Sequence, residues 1–175
     1  MERILSSEVV YRGKLFRVKR DELRMVTGRR VVREVVEHPG AVAIVPLLDD
    51  SVVMVEQYRH PAGKTLLEIP AGTLMEGESP EECARRELME EVGMEAEKLE
   101  KIFQCYLAPG YSTEIIHIFV AKGLKKVEAK PELDEHIKIV RLKFSTVIDM
   151  IKMGKIEDAK TVCAILLLKD MKFEI

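Results

Sequence analysis

AGTLMEGESPEECARRELMEEVGM, residues 71–94, packs three glycines and seven glutamates into one turn and one helix. The helix is the plainest element in the chain. Ser79 can cap it, Pro80 suits its first position, and Glu82 completes a Ser-x-x-Glu capping box. Gly93 ends it. Ala84, Leu88 and Val92 recur every fourth residue and form a stripe for the core. Glu87 and Glu91 border that stripe with Glu90 beyond them, so one flank carries three carboxylates on consecutive turns. Like charges this close repel, and Glu90 and Glu91 also lie in the last turn, where the helix dipole disfavours anions. A Glu-rich helix is ordinarily a solvated acidic face, but carboxylates at the edge of a buried stripe would raise each other's pKa unless countered. The arrangement calls for a cation. Carboxylates alone suit a hard divalent ion, Mg²⁺ with Mn²⁺ as substitute, rather than zinc. Mg²⁺ is commonly held by a few carboxylates together with substrate phosphates, which leans toward phosphate chemistry.

Working outward, the residues before the helix read as strands. SEVVYRGKLFRVKRDELRM and GRRVVREVVEH mix β-branched residues with charges, and Gly13 and Gly28 sit where turns fall. This antiparallel ribbon, residues 1–38, has one face for the protein and one for solvent or a partner chain, and HPG at 38–40 breaks it. AVAIVPLL and SVVMVEQYR follow as a hairpin through Asp49-Asp50, the first apolar throughout as befits a strand covered on both faces. KTLLEIPAG supplies a short strand. Beyond the helix, strands are expected at KIFQCYL, EIIHIFVAKGL and IKIVRLKF, a helix from Ser145 to about Met153, and a last helix over EDAKTVCAILLLKDMK. The order predicts an α/β fold: a mixed sheet with helices on its faces over residues 39–175, preceded by the N-terminal ribbon.

Composition narrows the setting. A net charge of -2 over 175 residues gives no reason to expect a nucleic-acid or membrane surface, and no apolar run is long enough to span a bilayer. Cys83, Cys105 and Cys163 have no metal-ligand spacing and read as free thiols in a reducing cytoplasm. MERILSSEVV lacks the basic start and apolar run of a signal peptide. The absence of Asn and the presence of only two Gln suggest a thermophilic source. Neither a Walker loop nor a Gly-x-Ser-x-Gly elbow occurs.

The spacing from Gly72 through Glu78 and Arg86-Glu87-Leu88 to Glu90-Glu91 and Gly93-Met94 resembles the Nudix box, with every defining position filled. The resemblance implies the Nudix α/β/α sandwich and Mg²⁺-dependent hydrolysis of a nucleoside diphosphate linked to another group. By it, Glu87, Glu90 and Glu91 are metal ligands together with the Ala71 carbonyl, and Glu78 with Arg86 is an internal ion pair. VEQYR at 55–59, LLEIPAG at 66–72 and APGYSTE at 108–114 with Pro109 resemble the ADP-ribose pyrophosphatase branch. That likeness makes Arg33 and Arg59 substrate-binding and sets Glu114 against the terminal ribose. It also assigns the general base to the loop EAKPELDEHIKIV, with Glu135 first, Glu132 second and Asp134 a further alternative. Glu90 and Glu91 count with Glu135 and Glu132 as the catalytic set. Members of this branch are typically homodimers whose N-terminal strands pack across to the partner, a role that suits residues 1–38. The expected reaction is ADP-ribose to AMP and ribose 5-phosphate. The rivals are another nucleoside diphosphate derivative (a nucleotide sugar, a dinucleoside polyphosphate or an oxidised nucleotide) and a non-catalytic module that senses such a ligand.

Overall fold

The computed structural model describes residues 2–127 and 137–171. Two sheets organise them. β1 (Arg3–Arg12), β2 (Arg17–Arg24) and β3 (Arg30–Glu37) form an antiparallel meander. Charges and apolar residues alternate along it, and Ile4, Val10 and Val32 remain exposed within the chain. Buried Asp21 is satisfied by the Ser7 hydroxyl, 2.6 Å away. The ribbon is tied to the rest of the molecule by backbone: Val36 N–H donates to Tyr111 O (2.7 Å) and Thr113 N–H to Val36 O (2.9 Å).

The second sheet holds seven strands among the described residues: β4 (Ala41–Leu48), β5 (Ser51–Arg59), β6 (Lys64–Glu68), β7 (Ala71–Thr73), β8 (Met94–Tyr106), β9 (Ile115–Lys126) and β10 (Ile137–Lys143). Its main path runs β10-β5-β4-β9-β8, with β6 on β5 and β7 on β4. β4 and β9 are parallel, and the other pairs are antiparallel. The β4–β5 hairpin turns through Asp49-Asp50 as expected, with Asp49 in the left-handed region at φ 54°.

Central β4 is covered on both faces, and the pleat divides its side chains between two cores. Ala43, Val45 and Leu47 join Met54, Ile118 and Val120 against α2 (Phe144–Lys152) and α3 (Ala159–Asp170). Val42 and Ile44 join Val53 and Phe119 against Ala84, Leu88 and Val92 of α1 (Pro80–Val92). Helices thus cover both faces of a mixed sheet, the α/β/α sandwich expected. The capping box of α1 is complete: Ser79 Oγ accepts from Glu82 N–H, and the Glu82 carboxylate accepts from Ser79 N–H.

Several boundaries differ from the sequence reading, among them KTLLEIPAG, which divides into β6 and β7. β8 begins at Met94 rather than Lys101, because β9 runs on to Lys126 and gives the charged segment MEAEKLE a partner edge. α2 starts at Phe144, whose side chain is buried, one residue before Ser145. α3 starts at Ala159, because Asp158 caps it by accepting from Thr161 N–H at 3.0 Å.

Candidate active site

α1 delivers its carboxylates to a cleft floored by β7. Glu87 and Glu91 are only 8% and 7% exposed, at the border of the buried stripe where helical spacing put them. Gly72 lets Glu87 sit there: a β-carbon built on Gly72 would stand 1.8 Å from Glu87 Oε1. Glu91 Oε2 accepts from Ala71 N–H at 3.1 Å, pinning the helix to the strand.

Arg86 is the cation among the carboxylates. Its Nε and Nη2 grip Glu78 at 2.8 and 3.1 Å, while Nη1 reaches Glu87 Oε1 at 2.6 Å and Glu90 Oε2 at 3.0 Å. Nη2 also donates to Thr73 O at 3.2 Å, so the guanidinium joins loop, strand and helix. The hydrogen bonds to Arg86 hold the Glu78 carboxyl at about 2, well below its ordinary value, and raise the Arg86 guanidinium. Much of the repulsion that the sequence presents is therefore met within the chain: Arg85 pairs with Glu81, and the Ser79 backbone N–H bonds Glu82.

Among the described residues, no three His, Cys, Asp or Glu side chains converge closely enough to hold a metal ion in this arrangement. The donor set nonetheless suits one. Glu87, Glu90 and Glu91 present only oxygen ligands on consecutive turns, and the Gly72 cradle keeps the space beside Glu87 clear of a side chain. These residues would hold a hard divalent cation once Glu87 and Glu90 turned from Arg86 Nη1 toward it.

The cleft has two adjoining parts. One, of about 350 Å³, is lined by Lys14, Arg59, Gly72, Arg86, Glu87 and Glu90. The other, of about 340 Å³, is lined by Leu15, His38, Arg59, Leu107, Glu114 and Lys160. Arg59 borders both. Its Nε and Nη2 donate to Glu68 Oε1 and Oε2 at 2.9 and 2.8 Å, and the Glu68 hydrogen bonds raise its pKa against the opposing effect of burial. Glu114 stands 4.0 Å from His38 Nδ1.

Of the residues singled out in the sequence, the structure brings together Ala71, Glu78, Arg86, Glu87, Glu90, Glu91, Arg59 and Glu114. Arg33 is not among them. Its side chain is 49% exposed on β3, opposite Asp21, and lines neither part of the cleft. Glu132, Asp134 and Glu135 lie outside the described residues. Sequence reading missed Lys14 and Leu15, brought in by the β1–β2 connection, and Lys160 and Asp158 at the start of α3. Lys14 and Leu15 gave no signal beyond a turn glycine, and Lys160 reads in sequence as one more surface charge on an apolar helix.

Known proteins resemble this chain along most of its length. The NUDIX domain model matches residues 37–165. The chain is 38% identical to the ADP-ribose pyrophosphatase of Bacillus subtilis (strain 168) over 94% of its own length and 90% of the relative's. It is 40% identical, with the same coverages, to the methanol dehydrogenase activator of Bacillus methanolicus. A solved structure described as an ADP compounds hydrolase superposes with a TM-score of 0.87 at 30% identity, covering 97% of this chain and 93% of that one. With a filled Glu-rich box on a Gly72-floored cleft, and a family model spanning most of its length, the chain belongs to the Nudix family.

Proposed function

We propose that this chain hydrolyses the diphosphate bridge of ADP-ribose to AMP and ribose 5-phosphate, with Mg²⁺. The observation that carries the reading is the cleft itself, where the Arg86-braced carboxylates of α1 sit on one flank of Gly72, with Arg59 and then Glu114 on the other. A diphosphate laid in the cleft between Glu87 and Arg59 meets acidic residues able to hold metal on one side and a guanidinium on the other. A ribose beyond it meets Glu114.

Nudix hydrolases generally need a divalent metal. Glu87, Glu90, Glu91 and the Ala71 carbonyl would hold it, and it would supply positive charge to the diphosphate and lower the pKa of the attacking water. The chain's own residues do the rest. Arg59 binds phosphate oxygens through its fork geometry and permanent charge. Glu78 and Arg86 keep the carboxylate flank rigid, and Glu114 orients the ribose. A carboxylate from the stretch of sequence between residues 128 and 136 accepts the proton of the attacking water: Glu135 first, then Glu132 or Asp134. Arg33, outside the cleft of its own chain, fits substrate binding only in a homodimer whose N-terminal sheets cross over. The exposed Ile4, Val10 and Val32 support that assembly. The location in this reading is cytoplasmic.

The test compares product formation from ADP-ribose, GDP-mannose, diadenosine polyphosphate and 8-oxo-dGTP at equal concentrations. ADP-ribose is expected to turn over fastest, and Glu90→Gln to lower its turnover at least ~100-fold with an unchanged melt. Faster hydrolysis of a competitor replaces the substrate. Binding without product makes the protein a sensor.

A further inference from the structure

Glu68, at the end of β6, is 1% exposed and carries a carboxylate that the reaction as described does not use. A buried carboxylate is retained only with full compensation. Burial pushes its pKa up, but Arg59 and Lys160 outweigh that and hold it below the ordinary value. Arg59 binds it bidentately, and Lys160 Nζ donates to Oε2 from the first turn of α3. Lys160 Nζ also lies 3.0 Å from Asp158 Oδ1. The Asp158 carboxylate in turn takes the Thr161 N–H at 3.0 Å, and Thr161 Oγ1 accepts from Ile69 N–H at 2.9 Å. Two cations and two carboxylates thus form one network joining β5, β6 and α3.

The network faces the cleft. Arg59, Asp158 and Lys160 all line the part that holds Glu114. With Nε and Nη2 committed to Glu68, Arg59 keeps Nη1 for another acceptor. An ammonium has three donors; Lys160 gives one to Glu68 and turns another side toward Asp158, 3.0 Å away. Both cations are therefore locked in place with donor capacity left over, on the flank of Gly72 away from the α1 carboxylates.

We infer that Lys160 is a second cationic contact for the substrate diphosphate, beside Arg59, and that Glu68 is the positioning residue fixing both heads toward it. The inference rests on the proposed diphosphate substrate. The chemistry required is a dianionic bridge: one phosphate oxygen set facing metal, the other facing Arg59 and Lys160. Preorganised cations of this kind lose little rotamer freedom on binding, so their gain appears in affinity.

The test uses the full-length protein with Mg²⁺ and two readouts: steady-state kinetics on ADP-ribose, and calorimetric titration with methylenediphosphonate, a non-hydrolysable diphosphate. Lys160→Gln preserves a hydrogen bond to Glu68 without the charge. It is expected to raise KM at least tenfold with kcat within threefold, and to weaken methylenediphosphonate at least tenfold. Lys160→Arg should recover most of both. Glu68→Gln should weaken diphosphate binding similarly while leaving the affinity for Mg²⁺ alone unchanged. A Lys160→Gln protein that melts lower but binds methylenediphosphonate and ADP-ribose like wild type overturns the inference, leaving a purely structural brace. If wild type fails to hydrolyse ADP-ribose, the substrate reading falls by itself. The methylenediphosphonate titration then still decides Lys160, since tenfold weaker binding sustains its contact and unchanged binding ends it.

Discussion

Replacing Gly72 by alanine tests the carboxylate flank through geometry alone. The new β-carbon would stand 1.8 Å from Glu87 Oε1, 1.9 Å from its carboxyl carbon and 2.5 Å from Oε2. Gly72 lies in the extended strand Ala71–Thr73, so the obstruction is a collision rather than a forbidden backbone conformation. From 1.8 Å to an ordinary contact of 3.4 Å, the nearest oxygen must retreat by 1.6 Å. The same oxygen is the one paired with Arg86 Nη1 at 2.6 Å, so the displacement disturbs that ion pair too. Overpacking of this kind costs about 1–3 kcal/mol, which lowers the Tm of a chain this size by about 2–12 °C. The effect on rate should be far larger, because a misplacement of about 1 Å at a reacting centre costs roughly 100-fold. Initial rates on ADP-ribose at saturating Mg²⁺, well below the variant's Tm, should therefore show kcat down at least ~100-fold. Gly110→Ala is the control: no atom lies within 4 Å of its added carbon, so rate and melt should both stay put. A Gly72→Ala enzyme with wild-type turnover would refute the claim that Glu87 must occupy its cradle for catalysis.

Two further outcomes concern stability and reactivity. The folded Glu78 carboxyl sits at about 2, below its ordinary 4.5, so its stabilisation is fully present above about pH 4.5 and disappears as pH falls through about 2. Glu78→Gln should lose about 1.5–3 kcal/mol at pH 7, with the gap to wild type closing toward pH 2 in urea melts; a gap constant with pH contradicts the Arg86 pairing. Burial pushes the Cys83 thiol up to about 12, whereas Cys163 is exposed. At pH 8 a disulfide reagent should label Cys163 quickly and Cys83 only after unfolding, and rapid labelling of Cys83 in the native protein would show that α1 is not packed as described.

The acidic helix was legible because its information is local. Ser79, Glu82 and Gly93 act within a turn of where they stand, and four-residue spacing alone sets Glu87 and Glu91 at the edge of the core. The identity of the compensating cation was less so. Charge density suggested a metal and the resemblance named the Glu78–Arg86 pair, but Arg86 also takes Glu87 and Glu90, one turn on. The Glu68–Lys160 contact was out of reach, since its partners are 92 positions apart and meet only when α3 docks on β6. The length of β8 was hidden for a similar reason: Met94, Ala96 and Leu99 are spaced irregularly among charges, and they pack on the α1-side core only once β9 offers an edge. Arg33 was legible only by resemblance, since its own chain keeps it on the outer ribbon and a role at the cleft depends on how two chains assemble.

The parallel β4–β9 pair in the large sheet has a consequence for how the chain reaches this state. β4 cannot zip onto β9 until a loop from residue 41 to residue 116 has closed, and Ile137 must likewise come back to Gln57. The N-terminal strands pair with sequence neighbours through tight turns and need no such closure. Loop-closure entropy must be met before non-local contacts reward it, so rates fall as contacts become more distant in sequence. Early protection from hydrogen exchange should accordingly appear in the β1–β3 meander and the β4–β5 hairpin, while the central β4–β9 seam, on which both cores depend, gates the slow phase.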